Sequence, residues 1–367
     1  MFGTVLTIVV ACMQVYVFWR SATVPFVRRF VPLKVLIGAG VLLWTGFVSG
    51  RMLGHAGTGV FAGMIELLGM DWLGIVFLFF VPLFMADIVT GFGFAVPSLA
   101  PSLRGFALLA GGLFSMIALV QGMRPPVVLN YEVQLPGLPA EMEGKVIIAM
   151  SDLHLGSLLG ARWLEARVAQ VQAQHPDIIV LLGDIGEGHG QLQGELPPVL
   201  RRLSAPLGVW AVLGNHEFHG TSSRNISLLK ESGFMILQNR WAEVRPGFIL
   251  AGVNDLTSGR RSGQDDSFIA QAVAGMPRGA AILLSHTPWQ AEKAASAGVE
   301  LMLCGHTHGG QLWPFSYLVR KRYPLFEGRY EVNGMTVIVC RGTGTWGPRM
   351  RLWHPGEMLR ITLHAKA

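Results

Sequence analysis

The sequence predicts an α/β domain preceded by a membrane-spanning helical region, and two observations lead to this. Hydrophobic residues make up 51% of the 367 residues and charged residues only 14%, yet only seven of the 29 basic and three of the 23 acidic residues lie in 1–124. After that point, short apolar runs alternate with helical patterns, as in α/β domains. We therefore expect a transmembrane helical region at 1–124, a linker at 125–144 and a folded domain at 145–367.

Four apolar runs in the first third predict about four spanning helices. These runs are Gly3–Trp19, Val35–Gly50, Trp72–Ala86 with its continuation Ile88–Val96, and Gly105–Met123. Arg20, rather than a small-residue cleavage site, follows the first run, so we expect an uncleaved helix and not a signal peptide. The weakly apolar, glycine-containing stretch Gly57–Met70 favours a re-entrant or interfacial segment.

Asp87 is an ionisable residue at membrane depth, which by default suggests a functional site. We find no basic partner for it in the other predicted helices. We therefore expect Asp87 to lie near a helix end or to bond to a neighbouring helix.

The folded domain is predicted from short, continuously apolar strands separated by helices, a pattern typical of sheets covered on their outer faces. The predicted strands are Val146–Met150, Ile178–Leu182, Val209–Leu213, Ile249–Val253, Ile282–Leu284, Leu301–Leu303, Thr336–Val339 and Leu359–Leu363. The predicted helices are Arg162–Gln174, Leu192–Leu203, Ser267–Ala274 and Trp289–Ala297.

Polar side chains follow five of these strands directly. In chain order they are Asp152 and His154, then Asp184, then Asn215, His216 and Glu217, then His286, and finally His306 and His308. Open α/β sheets place ligand sites at the carboxyl ends of their strands, so we expect these side chains to converge.

The residue types indicate metal chemistry. Carboxylate, imidazole and amide ligands without thiolates suit Mn²⁺, Fe or Zn²⁺, and they are too numerous for one tetrahedral zinc. Two divalent metal ions are therefore implied, and a carboxylate shared between them would hold them about 3.5–4 Å apart, the spacing used in phosphoryl transfer. The histidine beside Asn215 would then be available for acid catalysis.

The ordered blocks Asp-x-His, Gly-Asp, Gly-Asn-His-Glu, a lone His and Gly-His-x-His resemble the calcineurin-like metallophosphoesterase superfamily. The resemblance covers about residues 145–365, and the forms of Gly305–Gln311 and Arg341–Gly344 are similar to a bacterial membrane-associated branch. The resemblance implies a four-layered α/β/β/α sandwich with the metals at one edge. Direct attack on phosphorus by a metal-bound hydroxide is the implied mechanism.

The resemblance also implies a role for each residue. The first metal would be held by Asp152, His154, Asp184 and His308, and the second by Asp184, Asn215, His286 and His306. His216 would protonate the leaving oxygen or stabilise charge, and Glu217 would orient it.

The blocks differ in specificity. Gly183-Asp184 alone is a common turn, and a lone His286 is more often structural, whereas two histidines and three glycines within Gly305–Gly310 are unusual for a turn. The segment after Asp184 departs from the family pattern, so substrate contacts there do not transfer. His189 and His219 in nearby loops are either substrate contacts or solvated residues.

The arginines and cysteines near the motif blocks have simpler interpretations. Arg341 and Arg349–Arg351 either position phosphate or lie on a surface loop. Cys304 is expected to be a buried small hydrophobic residue, and the three cysteines form no recognisable disulfide or zinc pattern.

The expected function is that of a membrane-anchored phosphoesterase acting on a lipid or envelope phosphate, such as a phospholipid or a lipid pyrophosphate. Two alternatives remain open: a nuclease or nucleotide phosphodiesterase, and a non-catalytic membrane sensor that binds phosphate ligands. About +4 of the net charge of +6 belongs to residues 1–124, so the remaining residues carry only about +2. This charge would neutralise few backbone phosphates, and nucleic acid is therefore disfavoured as a partner.

The basic residues of the short loops predict the orientation in the cell membrane. Four of them, Arg20, Arg28, Arg29 and Lys34, lie in the loop between the first two helices. This places that loop in the cytoplasm and the chain beyond Arg124 on the outer face. We therefore expect a reporter enzyme fused at the C-terminus to behave as an external one. Strong cytoplasmic reporter activity would contradict this topology.

Overall fold

The computed structural model describes residues 2–54, 60–187, 195–218 and 222–366. These residues form two compact units. The helical unit comprises 1–124 together with 347–353, and the sheet unit comprises 125–346 together with 354–367.

The described part of the helical unit contains five α-helices. They are α1 (Phe2–Ser21), α2 (Pro25–Phe30), α3 (Leu33–Ser49), α4 (Val60–Val89) and α5 (Ala100–Met123). Four of these helices, all but the short α2, are long and apolar enough to cross a membrane. The prediction of about four spans is therefore confirmed by length and composition.

The expectation of a re-entrant or interfacial segment before the third span is wrong where the structure describes it. Residues 60–70 form the first turns of α4, while residues 57–59 lie outside the described residues. Gly69, one of the glycines that argued against a helix, serves packing, because a Cβ at this position would lie 2.7 Å from the Gly46 carbonyl oxygen of α3. Small residues allow this close approach of two membrane helices.

Asp87 is fully buried and has two basic partners, contrary to the expectation from sequence. The Nε of Arg20, in α1, lies 2.5 Å from Asp87 Oδ2, and Nη2 of Arg104, in α5, lies 2.7 Å from Oδ1. Tyr16 adds a hydrogen bond to Oδ2 at 2.5 Å. Asp87 lies near the end of α4 and bonds to neighbouring helices, as predicted, so this cluster ties three spans together.

A distant segment of the chain completes the helical unit. The backbone N–H of Arg349 donates to Asp71 Oδ1 at 2.7 Å, and that of Arg351 donates to the Ala118 carbonyl at 2.9 Å. Trp353 N–H donates to Gln121 Oε1 at 2.9 Å. The segment 347–353, which includes Arg349–Arg351, therefore packs as part of this unit.

The sheet unit is built on two six-stranded sheets. The first has the order β1 (Val127–Leu135), β12 (Glu357–Ala365), β2 (Val146–Met150), β3 (Ile178–Leu182), β4 (Val209–Val212), β5 (Met235–Ile236). The second has the order β10 (Gly328–Val332), β11 (Met335–Val339), β9 (Leu301–Cys304), β8 (Ala280–Leu284), β7 (Phe248–Gly252), β6 (Arg240–Arg245).

Helices cover the outer faces of both sheets. Within the described residues they are α6 (Ala161–Gln172), α7 (Leu196–Leu200) and α8 (Ser222–Glu231) on the first sheet, and α9 (Leu256–Ser262), α10 (Asp265–Val273) and α11 (Ala291–Ser296) on the second. Helix α12 (Ser316–Arg322) instead packs on the loop after β9. One core cluster lies between the two sheets. A second cluster joins the first sheet to its helices, and a third joins the second sheet to its helices. The predicted four-layered α/β/β/α sandwich is confirmed.

All eight predicted strands are present, and the strands missed by the sequence analysis lie mainly at the margins of the sheets. Strand β1 falls within 125–144, where we expected a linker. Strands β6 and β10 alternate between exposed and partly buried residues, so they lack the continuous apolar run that identified the inner strands. Of the predicted helix at 192–203, the structure describes α7 and leaves 192–194 outside.

Replacing Asp87 by Ala should destabilise the helical unit, because Arg20 and Arg104 would remain buried without their shared carboxylate. We expect a loss of about 3–5 kcal/mol, the usual scale for removing one partner of a buried ion pair. Thermal unfolding of the detergent-purified chain, followed by circular dichroism, measures the change. Thr45→Val, an exposed polar residue of α3, is the control; equal midpoints for the two variants would contradict a stabilising role of the cluster.

Candidate metal centre

The loops after five strands bring the predicted residues together. Strands β2, β3 and β4 are parallel neighbours in the first sheet, and β8 and β9 are parallel neighbours in the second. Their carboxyl ends therefore lie at one edge of each sheet, and the polar residues that follow them meet between the two sheets.

The first cluster of potential ligand atoms consists of Asp152, His154 and His308, all buried. The two Nε2 atoms of His154 and His308 lie 3.1 Å apart. Oδ1 of Asp152 lies 3.2 Å from Nε2 of His308 and 4.0 Å from Nε2 of His154. The three atoms converge on one point, as ligands of a single cation do.

The second cluster consists of Asp184, His286 and His306. Nε2 of His286 lies 3.1 Å from Nδ1 of His306 and 3.3 Å from Oδ1 of Asn215. Asp184 links the two clusters, because its Oδ2 lies 3.2 Å from His286 Nε2 and 3.8 Å from His154 Nε2. With His154 and His216 it also forms a third, overlapping group of potential ligand atoms. The structure thus brings all seven predicted ligands into two adjoining groups that share one carboxylate.

Polar contacts on the far side of His154, His286 and His306 fix which nitrogen of each ring faces the cluster. Nδ1–H of His286 donates to the Leu182 carbonyl at 2.8 Å. Nε2 of His306 lies 2.8 Å from the Tyr323 hydroxyl, and Nδ1 of His154 lies 3.2 Å from Glu187 Oε1. Such partners orient metal-binding histidines and leave the other nitrogen available to the cation.

The carboxylates are held in the same manner. Oδ2 of Asp152 accepts the backbone N–H of His306 at 3.0 Å and the hydroxyl of Ser151, which leaves Oδ1 facing the histidines. Oδ1 of Asp184 accepts the backbone N–H of His216 at 2.8 Å, which leaves Oδ2 between the two clusters.

The backbone at this edge is in an uncommon conformation. Five of the seven predicted ligands have positive φ, namely Asp152, His154, Asp184, His306 and His308. The glycines of the motifs allow close approach: a Cβ on Gly214 would lie 2.2 Å from Asp184 Oδ1, and one on Gly305 would lie 1.7 Å from Ser151 Oγ. Residues held in this φ region are costly and cluster at functional sites.

Electrostatics in the site favour bound cations. Burial alone would raise the pKa of Asp152, but the charge of His308 holds this pKa well below its usual range. Burial likewise opposes the charge on His154, yet the attraction to Glu187 outweighs it and raises the pKa to about 9. Burial and repulsion from His286 lower the pKa of His306 to about 4.

The residues present fit two divalent cations. Neighbouring charges lower the pKa values of Asp152 and Asp184 and raise those of His154 and His286, which favours ionised aspartates balanced by protons on these two histidines. Because these nitrogens converge with carboxylate oxygens, a divalent cation can replace the protons as the compensating charge. Oxygen and imidazole donors of this kind suit Mn²⁺, Fe or Zn²⁺.

His216 lies at the mouth of the site, with a side chain that is 17% exposed. Its ring stands edge-on to His154 at 4.8 Å and to Trp346 at 6.4 Å. Its Nδ1 lies 3.5 Å from Glu187 Oε2. Glu187 therefore touches both His154 and His216, in the segment where the sequence departs from the family pattern.

Glu217 has a different position from the one we expected behind His216. Its carboxylate is buried and accepts four backbone N–H groups. The donors are Asp184 and Gly214 to Oε2, both at 2.8 Å, and Ile185 and Gly186 to Oε1, at 2.8 and 3.1 Å. Burial and the charge of Asp184 raise the Glu217 pKa to about 7. Glu217 thus holds the loop that carries Asp184.

The remaining candidates are resolved by their contacts. Arg341 donates to buried Glu357 through its Nε at 2.6 Å, so part of its role is structural. Cys304 is buried in β9, as predicted. His189 and His219 lie outside the described residues. Sequence reasoning missed Tyr323 and Ser151, because a hydroxyl outside the motif blocks gives no separate signal.

Comparisons with known proteins agree with this geometry. The family model described as calcineurin-like phosphoesterase matches residues 145–310. An uncharacterised metallophosphoesterase of Aquifex aeolicus is 33% identical over 243 residues, which cover 65% of this chain and 91% of that protein. One of Campylobacter jejuni is 31% identical over 252 residues, covering 66% and 65%. A transmembrane protein with metallophosphoesterase domain from Danio rerio is 32% identical over 270 residues, covering 70% and 62%.

The chain therefore belongs to the calcineurin-like metallophosphoesterase family, as the motif blocks predicted. The matched regions span about two thirds of this chain. They span 65% and 62% of the lengths of the Campylobacter and Danio relatives.

Replacing Glu217 by Gln should loosen the loop at 184–186. Each carboxylate oxygen of Glu217 accepts two backbone N–H groups, and the NH₂ of Gln in place of one oxygen would leave two of these donors without an acceptor. Leaving buried donors unsatisfied costs about 1–3 kcal/mol each. We expect faster amide hydrogen exchange in peptides covering 183–187, measured by mass spectrometry. Glu231→Gln, at an exposed position, is the matched control; unchanged exchange in Glu217→Gln would show that this carboxylate is dispensable for the loop.

Proposed function

We propose that the protein is a membrane-anchored dinuclear-metal phosphoesterase that hydrolyses a phosphoester or pyrophosphate bond in a lipid or envelope substrate. The observation that supports this best is the position of Asp184 Oδ2, 3.2 Å from His286 Nε2 and 3.8 Å from His154 Nε2. One carboxylate shared by two converging ligand clusters is the arrangement that a metal pair for phosphoryl transfer requires.

In this proposal each cluster holds one divalent cation. Asp152, His154, Asp184 and His308 hold the first, and Asp184, Asn215, His286 and His306 hold the second. Such a pair, when bound, lowers the pKa of a coordinated water and neutralises charge on the phosphate oxygens.

His216 is proposed as the group that stabilises or protonates the leaving oxygen. It is partly exposed at the mouth of the site, whereas His154 and His286 are buried. Its Nδ1 lies 3.5 Å from Glu187 Oε2, so this carboxylate orients the imidazole ring. Glu187 is thus proposed to position His216, while Glu217 acts through the loop of Asp184.

The substrate class follows from the attachment of the sheet unit to a chain with four candidate spans. A tethered site meets phosphates at the bilayer surface at a high effective concentration. The net charge beyond residue 124 is only about +2, which offers little neutralisation for a nucleic-acid backbone. We also propose that the site lies on the outer face, and we retain the narrower assignment to a bacterial membrane-associated branch.

Asp184→Ala should abolish hydrolysis, because it removes the carboxylate shared by both clusters. We expect metal-dependent cleavage of bis-p-nitrophenyl phosphate and p-nitrophenyl phosphate by the detergent-purified full chain with Mn²⁺. The variant should lose at least about 10²–10³-fold in rate, the scale for lost electrostatic stabilisation of a transition state. Metal content and circular dichroism would establish that the variant is folded, with Glu231→Ala as the exposed control. Full activity of Asp184→Ala would refute the assignment.

A panel of substrates separates the proposal from its rivals. Hydrolysis of a phospholipid or lipid pyrophosphate in mixed micelles supports a lipid substrate. Salt-sensitive cleavage of DNA or of a nucleotide diester would instead favour a nuclease or nucleotide phosphodiesterase. Tight phosphate-ligand binding without turnover, by folded and metal-loaded protein, would favour the sensor.

A further inference from the structure

Helix α12, with the preceding Phe315, stands directly beside the metal centre; we call Phe315–Arg322 the rim helix. At its start, a Cβ on Gly310 would lie 2.3 Å from Ser316 Cα, so the helix packs closely on the Gly-His-Thr-His loop. Just past its end, the Tyr323 hydroxyl lies 2.8 Å from Nε2 of His306. The two ends of the rim helix are therefore fixed to the loop that carries two predicted metal ligands.

The outer face of the rim helix exposes large apolar side chains. Phe315 is 44% exposed, and Tyr317 and Leu318 are each 64% exposed, whereas Ser316 between them is buried. These values are high for a folded domain whose inner strands are completely buried. Adjacent exposed apolar residues of this kind mark an interaction surface.

Three cations follow on the next turn. Arg320, Lys321 and Arg322 are all exposed. Lys321 and Arg322 lie four residues after Tyr317 and Leu318, so the apolar and basic side chains share one helix face. The Arg322 guanidinium stacks on Trp289 at 4.5 Å from the ring centre, and Arg320 lies 3.9 Å from the carboxylate of Glu327.

We propose that the rim helix binds the surface of an anionic phospholipid bilayer. Phe315, Tyr317 and Leu318 enter the boundary between head groups and acyl chains, and Arg320–Arg322 contact lipid phosphates. A helix with apolar residues beside Lys and Arg is suited to this interface, because long basic side chains reach the head groups while the apolar ones enter the acyl layer. The dinuclear site is thereby held at the level of the head groups.

A bilayer fits this surface better than another macromolecule does. The chain carries four candidate spans, and these are covalently joined to the sheet unit. A bilayer that holds the spans therefore stays close to the sheet unit. The combination of exposed aromatic and aliphatic side chains with a run of three cations matches the charge and polarity of an anionic membrane surface. The inference requires the membrane spans but does not depend on which phosphoester is cleaved.

A nitroxide spin label at position 318 tests the contact directly in the full-length protein. Cys12 is exposed and is replaced by Ser, whereas Cys304 and Cys340 are buried and escape labelling. The variant Cys12→Ser/Leu318→Cys is reconstituted in nanodiscs of phosphatidylcholine containing phosphatidylglycerol. Oxygen collects in the acyl layer and a nickel chelate in water, so their relative collision rates with the label report its depth.

We expect the label at 318 to be accessible to oxygen and shielded from nickel in anionic nanodiscs. A label at Lys230→Cys, an exposed position on α8, should remain accessible to nickel. Charge reversal by Lys321→Glu in the 318-labelled protein should return that label toward water. A water-accessible label at 318 in anionic nanodiscs would overturn the proposal, and so would equal shielding at both positions, because the contact would then not be specific to the rim helix.

Kinetics give a second readout in the active enzyme. Leu318→Ser/Lys321→Ser should raise KM for a phosphoester presented in anionic vesicles by about tenfold, while leaving kcat/KM for bis-p-nitrophenyl phosphate unchanged. An equal loss on both substrates would mean that the rim helix supports the site itself and would contradict docking. The label measurement requires no turnover, so it decides the docking proposal even if the proposed substrate class fails.

Discussion

The carboxylate of Asp184 is the constraint on which the rest of the site depends. Its Oδ2 faces both His154 and His286, its Oδ1 accepts the His216 backbone N–H, and its own N–H donates to Glu217. A buried anion in this position is stable only with several donors or cations around it. The two sheets, whose strands end at this point, supply those donors from the three loops that follow β2, β4 and β8.

The requirement for close approach at Asp184 explains much of the local sequence. Gly214 leaves room for Asp184 Oδ1, and Gly183 adopts positive φ directly before it. Glu217, three residues beyond Gly214, binds the backbone of both loops. The motif glycines and Glu217 therefore serve the same end, because they bring two strand ends close enough for one carboxylate to serve two ligand clusters.

Buried charge is handled in the same way in the helical unit. Asp87 is surrounded by Arg20, Arg104 and Tyr16, so a residue that would be costly in lipid becomes a link between three helices. In both units an isolated carboxylate would be unfavourable, and in both the structure surrounds it with partners from distant parts of the chain. The rim helix shows the opposite arrangement, because its apolar and basic side chains face outward, where the proposed bilayer would cover them.

The sequence by itself determined the four candidate spans and the inner strands, and it pointed to the seven candidate ligands, because apolar runs and residue types after strands are local signals. Tertiary structure alone decided the partners. Arg20 and Arg104 reach Asp87 only through helix packing, and Glu187 rather than Glu217 came to lie beside the His216 ring. The edge strands β6 and β10 and the contact of Tyr323 with His306 likewise depend on long-range packing. The hydrophobic periodicity of a helix or strand indicates which of its faces is buried. It does not indicate which distant residues will pack against that face.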